Sequence, residues 1–403
     1  MDALLKLFDK YRGHLKRESL SMGDFLEANY REYIDDVRVA MSPEDNPLLG
    51  DNICSMVENH ISAIIENSKK LVEVHKLFEH GRIMEASNTA FEVFSSMKPQ
   101  LMHRYSGAFR QEMYYRIRSI SDGSTFPLER KELFHIPYKK NYLVGTERYS
   151  MPGHPCLYLA SQAELGWFEC RKPTKFAIAK FAIPQDEDRY LKYIDFSEKL
   201  MPLKHSFFCW FHNEENKNSL NNYFLKYICT YPLRAACSVV VEHPGGKFIE
   251  EYIIPQLLLQ WVLKDADFDG IRYESCSESN EVKSFGGHNI VLVTKEFDSD
   301  GYDIKLRDCI KIGLPSAFDV NKITCDSDLL VGKDIKEEPF YWNMDEISSD
   351  FQNQSFISTE SIWQNGISYK NKIYVLELLQ AISEKGYVEA CDKPNNSKYR
   401  KLH

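Results

Sequence analysis

Met113-Tyr114-Tyr115-Arg116-Ile117-Arg118, Arg148-Tyr149-Ser150-Met151-Pro152-Gly153, Cys156-Leu157-Tyr158-Leu159-Ala160 and Ala163-Glu164-Leu165-Gly166-Trp167-Phe168-Glu169 are the stretches whose reading decides the fold of this chain. The first and third are short runs rich in aromatic and apolar residues, and read as strands. Pro152-Gly153 marks a turn between them, and the fourth stretch reads as a short helix ending at Glu169. Phe134-His135-Ile136-Pro137 reads as a further short strand.

Upstream, residues 1 to about 110 carry helical periodicity. Leu4, Leu5, Leu7 and Phe8 share a face, as do Phe25, Tyr30, Tyr33, Ile34 and Val37. Ser21 with Asp24 has the spacing of an N-terminal cap. Ser42 to Pro47 is a break, after which Asp51–His80 and Ile83–Met97 predict two more helices, closed by Pro99. The expected product is an antiparallel helical bundle whose apolar stripes are simply core.

Downstream, strand signals recur at 112–119, 134–137, 156–160, 175–183 and 189–196. Residues 175–183 alternate only weakly. Ser219–Cys229 and Lys247–Lys264 predict helices, the second kinked or restarted at Pro255. Phe268–Ser275 turns into a strand after Gly270, and His288–Val293 is an apolar strand behind Gly286-Gly287. Tyr302–Ile312 alternates like an edge strand. Residues 326–359 are polar and acidic, 373–382 have a short helical apolar face, and 392–403 form a polar basic tail. The fold class expected is α+β, with a helical region at 1–110, a mixed domain at 111–298 and a C-terminal extension at 299–403.

With 403 residues the chain can bury a large core. Its net charge of -9 argues against broad sequence-independent binding of nucleic acid. No apolar run approaches the roughly 20 residues of a membrane span, and the N-terminus lacks the layout of a signal peptide. Ten scattered cysteines without a Cys-x-x-Cys pair support neither a thiolate metal site nor a disulfide framework, and suit reduced thiols in a cytoplasm.

Several residues could carry chemistry. The planar fork of arginine pairs bidentately with phosphate, so Arg116 and Arg148 suggest a pyrophosphate or ribose-phosphate ligand. The ordinary alternative is two surface arginines. Tyr149 and Tyr158 could offer flat faces to a nicotinamide or adenine ring, although a strand tyrosine more often packs in the core. Glu169 lies among apolar neighbours, where a carboxylate under a ribose could stabilise an oxocarbenium-like transition state. Glu164 reads as a solvated, weaker candidate. Ser275 could bond a ribose hydroxyl or an amide, or could equally cap a turn. It lacks a Gly-x-Ser-x-Gly elbow and does not read as a nucleophile.

The order of these motifs resembles the RES family, named for its Arg, Glu and Ser. The resemblance covers about residues 112–295: Tyr115-Arg116, then Arg148-Tyr149-Ser150 through Leu157-Tyr158-Leu159-Ala160, the helical Glu169, Gln256 on its helix, and Asp269-Gly270-Ile271 followed by Tyr273 and Ser275. It implies a fold like that of ADP-ribosyltransferases and an activity that degrades NAD, commonly as the toxin of a toxin–antitoxin pair or in phage defence. Arg116 and Arg148 would hold phosphates, Tyr149 and Tyr158 would frame the nicotinamide side, Glu169 would face the anomeric carbon, and Ser275 would position the ribose. Gln256 would join the binding set. Nicotinamide leaves a cationic ribosyl donor without needing a general acid, so orientation and electrostatics suffice. NAD is then substrate, no metal is implied, and water or inorganic phosphate is the acceptor.

The chain departs from compact family members by about 110 residues before the domain and about 100 after it. The first segment is similar in character to the HEPN-related region of some RES proteins. Residues 1–110 contain no Arg-x(4–6)-His motif, and Arg130 with His135 fits the spacing only inside the RES-like stretch. The segment is therefore expected to regulate or assemble the chain, leaving room for an antitoxin or regulatory partner and a homo-oligomer. Two other readings stay open: a mono-ADP-ribosyltransferase acting on a macromolecule, and a non-catalytic nucleotide-sensing module.

Overall fold

The computed structural model describes residues 3–18, 20–46, 51–102, 110–121, 129–185, 191–197, 214–276, 287–313 and 315–319. The expectations for 326–359, 373–382 and 392–403 lie outside the described residues. In chain order the helices are α1 (Ala3–Lys10), α2 (Met22–Ala40), α3 (Asp51–Glu79), α4 (Ile83–Leu101), α5 (Arg130–Leu133), α6 (Ala163–Glu169), α7 (Glu214–Cys237), α8 (Ile253–Lys264) and α9 (Ile304–Cys309). The strands are β1 (Arg110–Ser119), β2 (Cys156–Ala160), β3 (Lys175–Gln185), β4 (Tyr193–Asp195), β5 (Gly270–Glu274), β6 (His288–Val293), β7 (Lys311–Ile312) and β8 (Ser316–Asp319). The fold class is α+β. No helix among the described residues is long and apolar enough to cross a membrane.

The chain divides into two compact units that do not follow its linear order. The first comprises 1–104, 146–151 and 193–268, and the second 105–145, 152–192 and 269–403. Helices α7 and α8, read from sequence as part of the segment 111–298, thus belong with α1–α4.

In the first unit, the Ser21 side chain accepts the Asp24 N–H at 3.1 Å and starts α2. Met22, Leu26, Tyr30, Tyr33, Val37 and Ala40 then recur at helical spacing and are all buried. Phe8 packs its ring on Phe224 and Tyr227 of α7, at 4.7 and 4.8 Å between centroids. Helix α7 runs past the limit read from sequence because its Pro232 is accommodated. Proline has no N–H to give the carbonyl four residues back, that of Ile228. The Tyr33 hydroxyl donates to that carbonyl instead, at 2.9 Å, while Tyr30 donates to the Pro232 carbonyl at 2.7 Å. Pro255 falls in the first turn of α8, where no helical donor is lost. Arg17, nearly enclosed, pairs with Glu242, Glu250 and the buried Glu251.

In the second unit the strands run in the order β5–β6–β2–β1–β3–β7, with β8 also on β3, and these neighbours pair antiparallel. Phe176 to Ala179 and Phe181 to Ile183 of β3 are all buried. A strand covered on both faces shows no clean alternation, which explains its weak sequence pattern. A side chain at Gly270 would place its Cβ 2.3 Å from the Val291 carbonyl oxygen, so only glycine lets β5 lie this close to β6.

Two strand expectations are corrected here. Residues 134–137 are not a strand. They link α5 to a short 3-10 helix at Tyr138–Leu143, with the α5 start closed by a reciprocal capping box between Glu129 and Glu132. Of the expected edge strand at 302–312, residues 304–309 are helical, because the Asp303 carboxylate accepts the Leu306 N–H at 2.8 Å and caps α9, while Lys311–Ile312 is the edge strand β7. Alternating hydrophobicity over so few residues did not distinguish a capped turn of helix from a strand.

Candidate active site

Glu169 is the last residue of α6, and its carboxylate is exposed. A helix C-terminus disfavours a negative charge. Asn289 counters this, donating from Nδ2 to Glu169 Oε1 at 3.0 Å. Asn289 is buried on β6, where its backbone pairs with Ala160 of β2 and Tyr273 of β5. Ser275, also buried, lies one residue beyond β5 and two from Tyr273. The sheet therefore gathers Glu169, Asn289 and Ser275 at one end. Tyr158 sits two residues from Ala160 on β2, about 7 Å along the strand.

At this end β2 stops at Ala160, and a side chain of β1 reaches across to β6. The Tyr114 hydroxyl is 3.3 Å from His288 Nε2 and 3.2 Å from the Glu112 carboxylate. Glu112 in turn takes Arg272 of β5 at 3.1 Å. Ser161 holds the His288 backbone from the other side: its hydroxyl accepts the His288 N–H at 2.9 Å and its own N–H donates to the His288 carbonyl at 2.8 Å. The start of β6, and Asn289 with it, is held on all sides.

Alternation along β1 separates its side chains. Tyr115 faces Glu164 of α6, and burial followed by that negative charge pushes the phenol up. Glu164, read from sequence as solvated, is in fact 5% exposed. Its position on the inner face of α6 accounts for the difference. Arg116 and Arg118 point the other way and donate to the carbonyls of Phe134 and Glu132, at 2.8 and 3.0 Å. Burial lowers Arg116 to about 10, partly offset by the Cys170 thiol and the Tyr158 phenol. It remains a cation at neutral pH, and no carboxylate among the described residues forms an ion pair with it.

Arg148, Tyr149 and Gln256 belong to the first unit. Arg148 donates to the carbonyls of Cys237 and Val239, at 3.1 and 2.9 Å, just where α7 ends. Its guanidinium also lies 5.3 Å from the Tyr252 ring centroid. Gln256 donates to the Glu147 carbonyl at 3.0 Å, and Tyr149 is fully buried. All three hold the segment 146–151 in place. Of the residues singled out from sequence, the structure brings together Glu169 and Ser275, with Tyr158 further along the same sheet. Among the described residues no group of His, Cys, Asp and Glu could hold a metal ion.

These positions can be set beside known proteins. No family model matches the sequence. No solved structure matches it. One curated relative does: "Putative toxin YopC" of Bacillus subtilis (strain 168) is 26% identical over 303 residues, covering 67% of each chain.

The sequence reading missed Asn289, His288, Tyr114, Arg272 and Glu112. One signal was available. His288-Asn289 is a polar pair at the head of an otherwise apolar strand, Ile290–Val293, and polar side chains entering a buried strand need partners.

Proposed function

We propose that this chain degrades NAD by cleaving the bond between nicotinamide and ribose, and that it does so as a toxin. The observation that carries the reading is the exposed Glu169 carboxylate, held by Asn289 at the sheet end that also bears Ser275. A carboxylate so placed can lie against an anomeric carbon and stabilise its developing positive charge. The bond from ribose C1′ to the pyridinium nitrogen breaks with its electron pair going to nitrogen, so nicotinamide leaves neutral. Water adds to C1′ and gives up a proton, yielding ADP-ribose; inorganic phosphate in place of water would yield the ribosyl phosphate. Ser275 would orient the ribose, and Tyr158 would frame the ring. Arg116, a half-buried cation, would compensate the pyrophosphate. The resemblance to the RES family supports this chemistry, and the name of the Bacillus relative supports the toxin role and, with it, an antitoxin partner.

The test is nicotinamide release from NAD by the purified chain, with and without millimolar phosphate. Glu169→Ala is expected to lower kcat by about 100- to 1000-fold, as loss of a transition-state electrostatic group does. Arg116→Ala is expected to raise KM by about 10-fold or more, with a smaller effect on kcat. Dependence on phosphate would identify phosphorolysis. Absence of release by the wild type, or release unchanged in the Glu169 variant, would overturn the proposal.

A further inference from the structure

We infer that Asn289 is the positioning residue of this site: its buried carboxamide fixes one oxygen of Glu169 so that the other faces the substrate. The inference rests on the reading of Glu169 given above. Its basis is an asymmetry in rigidity. Glu169 ends a helix of seven residues and is exposed, so its side chain alone would sample several rotamers. Asn289 is 6% exposed and sits between two strands of the sheet. The residue before it is tied through backbone and side chain to Ser161 and Tyr114. A rigid donor on a sheet thus restrains a mobile acceptor on a helix end.

The chemistry of the donor matters as much as its place. Ionised Glu169 only accepts, so the amide nitrogen of Asn289 must face it. The bond is made to Oε1, which leaves Oε2 for a ligand. Aspartate at position 289 would have the same shape but would need a proton to make the bond. Serine or alanine would not reach. Two consecutive residues in left-handed backbone, Arg171 (φ 62°) and Lys172 (φ 54°), stop the helix just after Glu169. Strain of this kind tends to persist where a local geometry must be held.

Two measurements test the inference, and they fail separately. The first follows the Asn289 side-chain NH2 resonances by NMR in the full chain with 15N-labelled asparagine. Glu169→Ala should move them, whether or not NAD is a substrate; resonances unchanged by Glu169→Ala would overturn the bond and the inference with it. The second is nicotinamide release across pH 5–9. Asn289→Ala should lower kcat by about 10- to 100-fold with KM nearly unchanged, the scale of a misplaced catalytic group. Asn289→Asp should lose activity at high pH and recover part of it at low pH, because a shared proton restores the bond. Wild-type kcat in Asn289→Ala, or a loss confined to KM, would overturn the positioning role. If the wild type releases no nicotinamide, the NAD reading fails while the NMR result still decides the bond.

Discussion

Arg171 and Lys172 show at the scale of single residues how α6 is made to end. Both take positive φ without being glycine, at 62° and 54°, a conformation that costs a side-chain-bearing residue roughly 1–2 kcal/mol. The turn closes with Lys172 N–H on the Trp167 carbonyl and Arg171 N–H on that of Phe168, both at 2.9 Å. The Lys172 ammonium packs on the Phe168 ring at 4.3 Å, whereas the Arg171 side chain is exposed. Arg171→Gly should therefore stabilise the protein by about 1 kcal/mol, read as an upward shift in urea midpoint. A lower midpoint would show that the arginine side chain contributes more than its backbone costs. Glu169 was visible in the sequence as a carboxylate among apolar residues. Asn289 was not, because its role exists only once β6 pairs with β2, on which α6 packs.

Helix α7 makes the corresponding point for elements. Sequence periodicity locates it but stops short of Pro232, since a proline within a helix removes one hydrogen bond. The missing donor comes from α2, through the Tyr33 hydroxyl on the Ile228 carbonyl at 2.9 Å. Tyr33→Phe is expected to cost about 1–3 kcal/mol, the price of a buried carbonyl left without a partner. In a Pro232→Ala background the restored N–H can serve Ile228, so the same change should cost much less. Denaturant melts of the four proteins give this coupling directly, and equal costs in both backgrounds would disprove the substitution of donors. The misread segments at 134–137 and 304–309 fail for a related reason. Each is too short for periodicity to decide, and at 304–309 the side-chain cap from Asp303 made the choice.

On the scale of the whole molecule, each unit carries a buried histidine that resists protonation. Burial drives His75 of the first unit down to about 3, helped by the Arg17 charge. Burial likewise takes His135 of the second unit to about 4, against the carbonyl of Ile136, which favours the proton. His135 Nε2 accepts the Asp303 N–H at 2.9 Å, which requires the neutral ring. Unfolded histidine binds its proton near 6.5. Above that pH both states are neutral and full stability is present; below it the unfolded chain takes up protons that the folded chain refuses. Stability should thus fall as pH drops from about 6.5 toward 4, by about 2 kcal/mol per histidine at pH 5. Urea melts at pH 7.5 and 5.0 measure this, and His135→Gln should reduce the difference. A stability independent of pH over that range would contradict both assignments.

The sequence by itself determined the α+β class, the helical face from Phe25 to Val37, the helices at 51–80 and 83–97, and the strands at 112–119, 156–160 and 288–293, although α4 runs on through Pro99 to Leu101. Each is long or strongly patterned, so local periodicity and capping outweigh anything distant. It also marked Glu169 and Ser275, whose residue types carry their chemistry wherever they lie. Only the tertiary structure decided that α7 and α8 join the N-terminal helices, that Arg148 and Gln256 brace the segment 146–151, and that Asn289 holds Glu169. Those outcomes depend on contacts between residues far apart in the chain. Which carbonyl a side chain reaches, or which strand lies under a helix, is set by packing and has no local signature.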